Sequence, residues 1–201
     1  MATPGTLTVR TFLDRTEGLA HLLLRADQAP RLLAFDDVAG CPVETALAAL
    51  EWTRHPDGSL TLGRTLPNKV TLASKVVPGR DGVRTEFRVT NGGDRTLTGL
   101  RVQMCVMLAG LTGFEKPTNE NKVFAAPFAA CKDATGRRWV VTGWGRCGRA
   151  WGNPPCPCLH ADPVLDDCPP GESRSVRGWL SFYEGTNIDG ELKRLAKVAF
   201  E

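Results

Sequence analysis

The chain has 201 residues, 42% hydrophobic and 23% charged, the balance of a globular protein and not of a disordered tail. Twenty-five Lys and Arg face 22 Asp and Glu, and the resulting +3 is too small and too dispersed to argue for a nucleic-acid or anionic-membrane partner. The 21 Gly and 14 Pro speak against an all-helical bundle, and the sequence lacks an apolar run of the ~18 residues that a membrane-spanning helix needs.

Thr6–Phe12 reads as a strand, and Leu19–Arg25 as a strand or short helix. Glu44–Trp52 is rich in Ala and Leu and predicts a helix. The Pro56-Asp57-Gly58 turn introduces a strand over Ser59–Leu66. Lys69–Val77 alternates, with Val70, Leu72 and Val76 on one face, and after a Pro-Gly turn Val83–Thr90 alternates again. Asn91-Gly92-Gly93-Asp94 supplies residues that tolerate positive φ and predicts a tight turn that continues an antiparallel meander into the next strand. Gly99–Leu108 places Leu100, Val102, Met104, Val106 and Leu108 on one face and Arg101, Gln103, Cys105 and Met107 on the other. Val123–Cys131 and Arg138–Trp144 flank an Asp133–Gly136 turn, and Ser175–Tyr183 is a further strand. Asp189–Phe200 fits an amphipathic helix, capped by Asn187 or Asp189. Short strands at this spacing predict an all-β fold, an antiparallel β-sandwich with a short C-terminal helix, as a single domain over 1–201.

Between Trp144 and Ser175 lie about thirty residues without periodicity, dense in Cys and Pro, a length that in compact domains is usually functional or disordered. The Trp and Cys content predicts an ordered loop lying across one sheet. A second irregular segment, Thr112–Lys122, carries Glu115, Asn119 and Asn121. Amide and carboxylate groups beside indole rings are what sugar recognition requires, because hydroxyls need paired donors and acceptors. Candidate binding residues are therefore Trp151, Asn153 and Asp162 from the long loop and Glu115, Asn119 and Asn121 from the other segment. His160, with Asp162 nearby, and Glu184 at a strand end are the acid–base candidates.

Seven cysteines is an odd number, and the N-terminus has no apolar signal region, so the expectation is reduced thiols in a cytoplasmic protein. Three readings of the cysteine-rich loop stay open. Cys156, Cys158, His160 and Cys168 have the ligand types of a structural zinc site, although Cys-x-Cys is tighter than the usual knuckle. A disulfide can staple Cys147 to Cys156 or Cys158 to Cys168. Otherwise the thiols are small buried hydrophobes.

The stretch Glu86-Phe87-Arg88-Val89-Thr90-Asn91-Gly92-Gly93-Asp94-Arg95-Thr96-Leu97 resembles the strand–turn–strand of galactose-mutarotase-like β-sandwiches. The resemblance covers residues 69–108, with general agreement in strand order out to Tyr183. It implies a large antiparallel sandwich with a carbohydrate site on its concave sheet and, in epimerase members, a His acid and a Glu base. Where that family carries a His, this strand reads Gln103-Met104-Cys105-Val106-Met107, which points to a trimmed, binding-type member. The leading expectation is thus recognition of a carbohydrate or another small polar ligand without a cofactor, with isomerase or lyase chemistry as an extension. The alternative is a zinc-stabilised structural or interaction module. Nucleic acid and membrane are not expected as partners, and a homo-oligomer is compatible with either reading.

Overall fold

The computed structural model describes residues 52–66 and 68–201, and the backbone of 8–15, 20–24 and 32–35. The helix expected over Glu44–Trp52 falls outside the described residues, apart from Trp52. Among the described residues, fourteen strands run in chain order: β1 (Thr8–Arg15), β2 (Ala20–Leu24), β3 (Leu32–Phe35), β4 (Thr53–Arg54), β5 (Leu60–Thr65), β6 (Val70–Pro78), β7 (Val83–Asn91), β8 (Leu100–Met107), β9 (Lys122–Ala125), β10 (Phe128–Lys132), β11 (Arg138–Trp144), β12 (Cys147–Trp151), β13 (Cys158–Pro163) and β14 (Ser173–Glu184). One helix, α1 (Ile188–Leu195), follows.

The strands form two antiparallel sheets, one ordered β12-β13-β8-β1-β2-β3 and the other β4-β5-β6-β7-β14-β11-β10-β9. The alternation read from the sequence sets their inner faces. Leu72, Phe87, Val89 and Val140 of the larger sheet share one core with Val102, Met104, Val106, Leu159 and Ala161 of the smaller. Phe87 and Val102 are fully buried, and truncating a site like Phe87 to Ala costs about 3–5 kcal/mol.

The larger sheet is covered on its outer side as well. There Ile188, Leu192 and Leu195 of α1 pack on Phe128, Trp139, Val141 and Trp179. That is why β10 and β11 read as nearly continuous apolar runs. The Asn187 side chain caps α1 by accepting from Gly190 N at 2.9 Å.

Three expectations need correction. First, β5, β6 and β7 form a meander, but β8 leaves it for the other sheet and pairs with β1 and β13. The Asn91–Asp94 turn is therefore not a hairpin turn, and positive φ is found at Lys69 and Gly99, not at Gly92 or Gly93. Gly92 matters for close approach, since a Cβ there would lie 2.4 Å from the Lys69 carbonyl oxygen. Second, Val123–Cys131 is two strands, β9 and β10, folded back on each other around Pro127, which has no N–H to donate to a ladder. Third, the stretch expected as a loop across a sheet is itself sheet. β12 and β13 form a hairpin, and β13 docks on β8 to extend the six-stranded sheet.

Candidate functional site

The β12–β13 hairpin builds the site, and strand alternation dictates how. On β13, Leu159 and Ala161 point into the sandwich core, so Cys158, His160 and Asp162 share the outer face. His160 lies opposite Cys105 of β8 on one side and opposite Trp151 of β12 on the other. Arg149 pairs with Asp162. A face that a sandwich would ordinarily give to solvent thus carries buried polar groups: His160 is 3% exposed and Asp162 0%.

Asp162 is the hub. Its Oδ2 accepts from Arg149 Nε at 2.7 Å and from Trp151 Nε1 at 2.6 Å, and its Oδ1 accepts from the Met104 backbone N–H at 3.0 Å. The last bond fills the gap where β13 parts from β8 beyond His160. A buried carboxylate is tolerable only when paired and hydrogen-bonded in this way. Trp151 in turn stacks on the His160 imidazole with centroids 4.0 Å apart, and the Arg149 guanidinium sits 4.5 Å from the Trp151 ring centre.

A second cluster adjoins the first. Cys158 Sγ lies 3.4 Å from His160 Nε2, and Cys105 Sγ lies 3.4 Å from Met107 Sδ. The Cys158 thiol is held well below the ordinary thiol range. Cys105 hydrogen-bonds it, and His160 and the Asn153 backbone act in the same direction, outweighing burial. Cys131, packed in the core, shows the opposite case: burial pushes its thiol up to about 12. His160 Nδ1 is buried without a hydrogen-bond partner and lies 3.9 Å from Asp162 Oδ1.

The other predicted residues are distributed as follows. Asn119 Nδ2 donates to the Gly152 carbonyl at 3.1 Å, so the Thr112–Lys122 segment does reach the hairpin. Asn119 Oδ1 also accepts from Lys122 Nζ at 3.2 Å. Asn121 Nδ2 reaches the Lys132 carbonyl, and exposed Glu115 accepts from Gly113 N. Asn153 is exposed in the hairpin turn. Glu184 ends β14 in the eight-stranded sheet, opposite Arg138, so it and His160 belong to different sheets.

Of the four expected zinc ligands, Cys158 and His160 come together. Cys168 bridges to Leu97, its Sγ meeting the Glu172 carbonyl at 3.2 Å, and half-buried Cys156 lies in the hairpin turn. No disulfide joins any of the six described cysteines. Sequence reasoning missed Cys105, Met107 and Arg149. The period-two spacing of Cys158, His160 and Asp162 was a usable signal for β13, whereas the β8–β13 register that adds Cys105 has no local signature. Beside this face, where β8 begins and β13 ends, Arg101, Asp166 and Asp167 line an open polar depression of about 530 Å³.

No protein-family profile matches the chain, and a search of curated proteins finds no match. Solved structures do match in shape. The Slr1438 protein from Synechocystis sp. PCC 6803 superposes with a TM-score of 0.51 at 13% identity, over 92% of this chain and 98% of that one. A putative aldose 1-epimerase from Escherichia coli K12 gives 0.51 at 12% identity, over 88% of this chain and 84% of that one. The fold is an antiparallel β-sandwich similar in shape to those of these two proteins. At these identities the likeness concerns the fold alone. Among the described residues, no helix is long and apolar enough to cross a membrane.

Proposed function

We propose that this chain recognises a carbohydrate on the outer face of its six-stranded sheet and acts by binding, not by turnover. The observation that carries the reading is the pre-ordered Arg149–Asp162–Trp151 network. The Arg149 side chain is 45% exposed with its Nε fixed by a fully buried carboxylate, and half-buried Trp151 is pinned through its Nε1. A planar guanidinium and an indole held in place offer a sugar paired donors and an apolar edge at little ordering cost. The polar depression at Arg101 and Asp166 adds further donors and acceptors.

The shared fold with a putative aldose 1-epimerase supports the ligand class. The placement of His160 and Glu184 in different sheets favours recognition over acid–base chemistry. Calorimetric titration with a panel of aldoses, uronic acids and short oligosaccharides tests this. The expected outcome is binding in the micromolar to millimolar range by at least one sugar, weakened about tenfold by Arg149→Ala. Absence of heat across the panel, or affinity untouched by Arg149→Ala and Trp151→Ala, would refute it.

A further inference from the structure

We infer that Cys105, Cys158 and His160 form a binding site for a thiophilic d10 cation, zinc(II) or copper(I), with the Met107 thioether at its edge. This goes beyond sugar recognition and does not depend on it.

The three ligand atoms lie within 4.8 Å of one another, and all three residues are buried. Tetrahedral zinc, with Zn–S of about 2.3 Å and Zn–N of about 2.0–2.1 Å, places an S and an N ligand about 3.5 Å apart and two S ligands about 3.8 Å apart. The Cys158–His160 edge, at 3.4 Å, already has that length. The remaining edges need to contract by about 1.3 Å at most.

The frame is rigid. All three ligands stand on two strands hydrogen-bonded side by side, with His160 directly opposite Cys105. The donors suit a soft cation: two thiols, an imidazole and, 3.4 Å from Cys105 Sγ, a thioether, with no carboxylate among them.

The surroundings of His160 give an independent observation. With Nε2 turned to the sulfurs, its buried Nδ1 faces Asp162 Oδ1 at 3.9 Å and has no hydrogen-bond partner. A small ring rotation on ligation completes the carboxylate–histidine–metal relay by which proteins orient a ligating imidazole. Asp162 is itself held by Arg149, Trp151 and the Met104 N–H, so this outer support is already built. The four-ligand set read from the sequence shares only Cys158 and His160 with this one. Cys105 replaces the others because the sheet register, and not chain proximity, sets the neighbours.

The test uses the full chain, reduced and stripped with a chelator. Cobalt(II), as a spectroscopic stand-in for zinc, and copper(I), in competition with a chromogenic chelator, are titrated separately. The expected result is one equivalent bound, with sulfur-to-metal charge-transfer absorption for cobalt and tighter binding in whichever arm matches the native ion. Cys105→Ser and Cys158→Ser are each expected to weaken binding more than the ~10–100-fold typical of an outer-support mutation, while Cys156→Ser leaves it unchanged. X-ray absorption on the metal-loaded wild type should report two sulfurs and an imidazole, a readout that stands even if a cysteine variant does not fold. Oxygen-only coordination, substoichiometric binding in both arms, or affinity unchanged in folded Cys105→Ser and Cys158→Ser would overturn the site.

Discussion

Replacing Asp162 with Ala removes the hub of the outer-face network and should be the most damaging single change in the hairpin. The side chain is 0% exposed and accepts three hydrogen bonds, from Arg149, Trp151 and the Met104 N–H. Breaking a fully buried ion pair costs about 3–5 kcal/mol, but here Arg149 is 45% exposed and regains water, which lowers the figure. Losing the acceptor for a buried backbone N–H and for an indole N–H adds about 1–3 kcal/mol. The expected net loss is about 2–4 kcal/mol, read as a lower urea midpoint at constant slope. Arg149→Ala leaves the fully buried Asp162 carboxylate without this cation but with its other two donors, and should cost about 1–2 kcal/mol, less than the loss in Asp162→Ala. The two-dimensional NMR signal of the Trp151 indole N–H should move strongly in Asp162→Ala and weakly in Arg149→Ala. Equal losses for the two variants, or a loss below about 1 kcal/mol for Asp162→Ala, would refute the view that this carboxylate organises the face.

Two further outcomes follow from the geometry. Burial would raise the Asp133 carboxyl, but hydrogen bonds from Arg138, Thr135 and the Arg137 and Arg138 backbone hold it down at about 2, against an ordinary 3.8. A depressed folded-state value contributes stability above the ordinary one, lost as pH falls through the folded one. Asp133→Asn should therefore be about 1–2 kcal/mol less stable than wild type at pH 7, after discounting for the one-third-exposed Arg138, with the gap closing between pH 4 and pH 2 in acid denaturation; a gap independent of pH would contradict it. In Gly152→Ala, the new Cβ would fall 2.7 Å from Asn119 Oδ1 and 2.9 Å from Phe124 Cζ. Both are ends of side chains that can shift, so the cost should be only about 1 kcal/mol, mainly the Asn119–Gly152 bond, with faster hydrogen exchange over residues 112–122 as the signature; unchanged exchange there would show that the two segments are not coupled.

The sandwich was legible wherever a strand buries one face. Val83–Thr90 and Gly99–Leu108 alternate cleanly because Phe87, Val89, Val102 and Val106 face the core. The β12–β13 hairpin was not, because Cys-Gly-Arg-Ala-Trp and Cys-Leu-His-Ala-Asp-Pro have little β-propensity, and their outward positions hold Cys, His and Asp where a pattern reading expects exposed Thr or Lys. Those residues stand there because the face is organised around the buried Asp162 carboxylate and its donors Arg149, Trp151 and the Met104 N–H. The grouping of Trp151, His160 and Asp162 followed from their nearness in the chain, and their Cys105 and Arg149 neighbours follow only from the registers of β13 with β8 and β12. The crossing of β8 to the second sheet was hidden because Asn91-Gly92-Gly93-Asp94 has the composition of a hairpin turn. Buried Asn91, bonded through Nδ2 to the Arg95 and Cys168 carbonyls, instead ties the crossing chain to the segment before β14.

Sugar docking on the outer face of the six-stranded sheet is the function proposed for this chain. Amide and indole chemical-shift mapping during titration with the tightest sugar of the panel tests it most directly. Saturable shifts should concentrate on the Trp151 indole and on the backbone of β8, β12 and β13. Shifts gathered around α1 and the outer face of the eight-stranded sheet would contradict it, as would spectra that do not change at all.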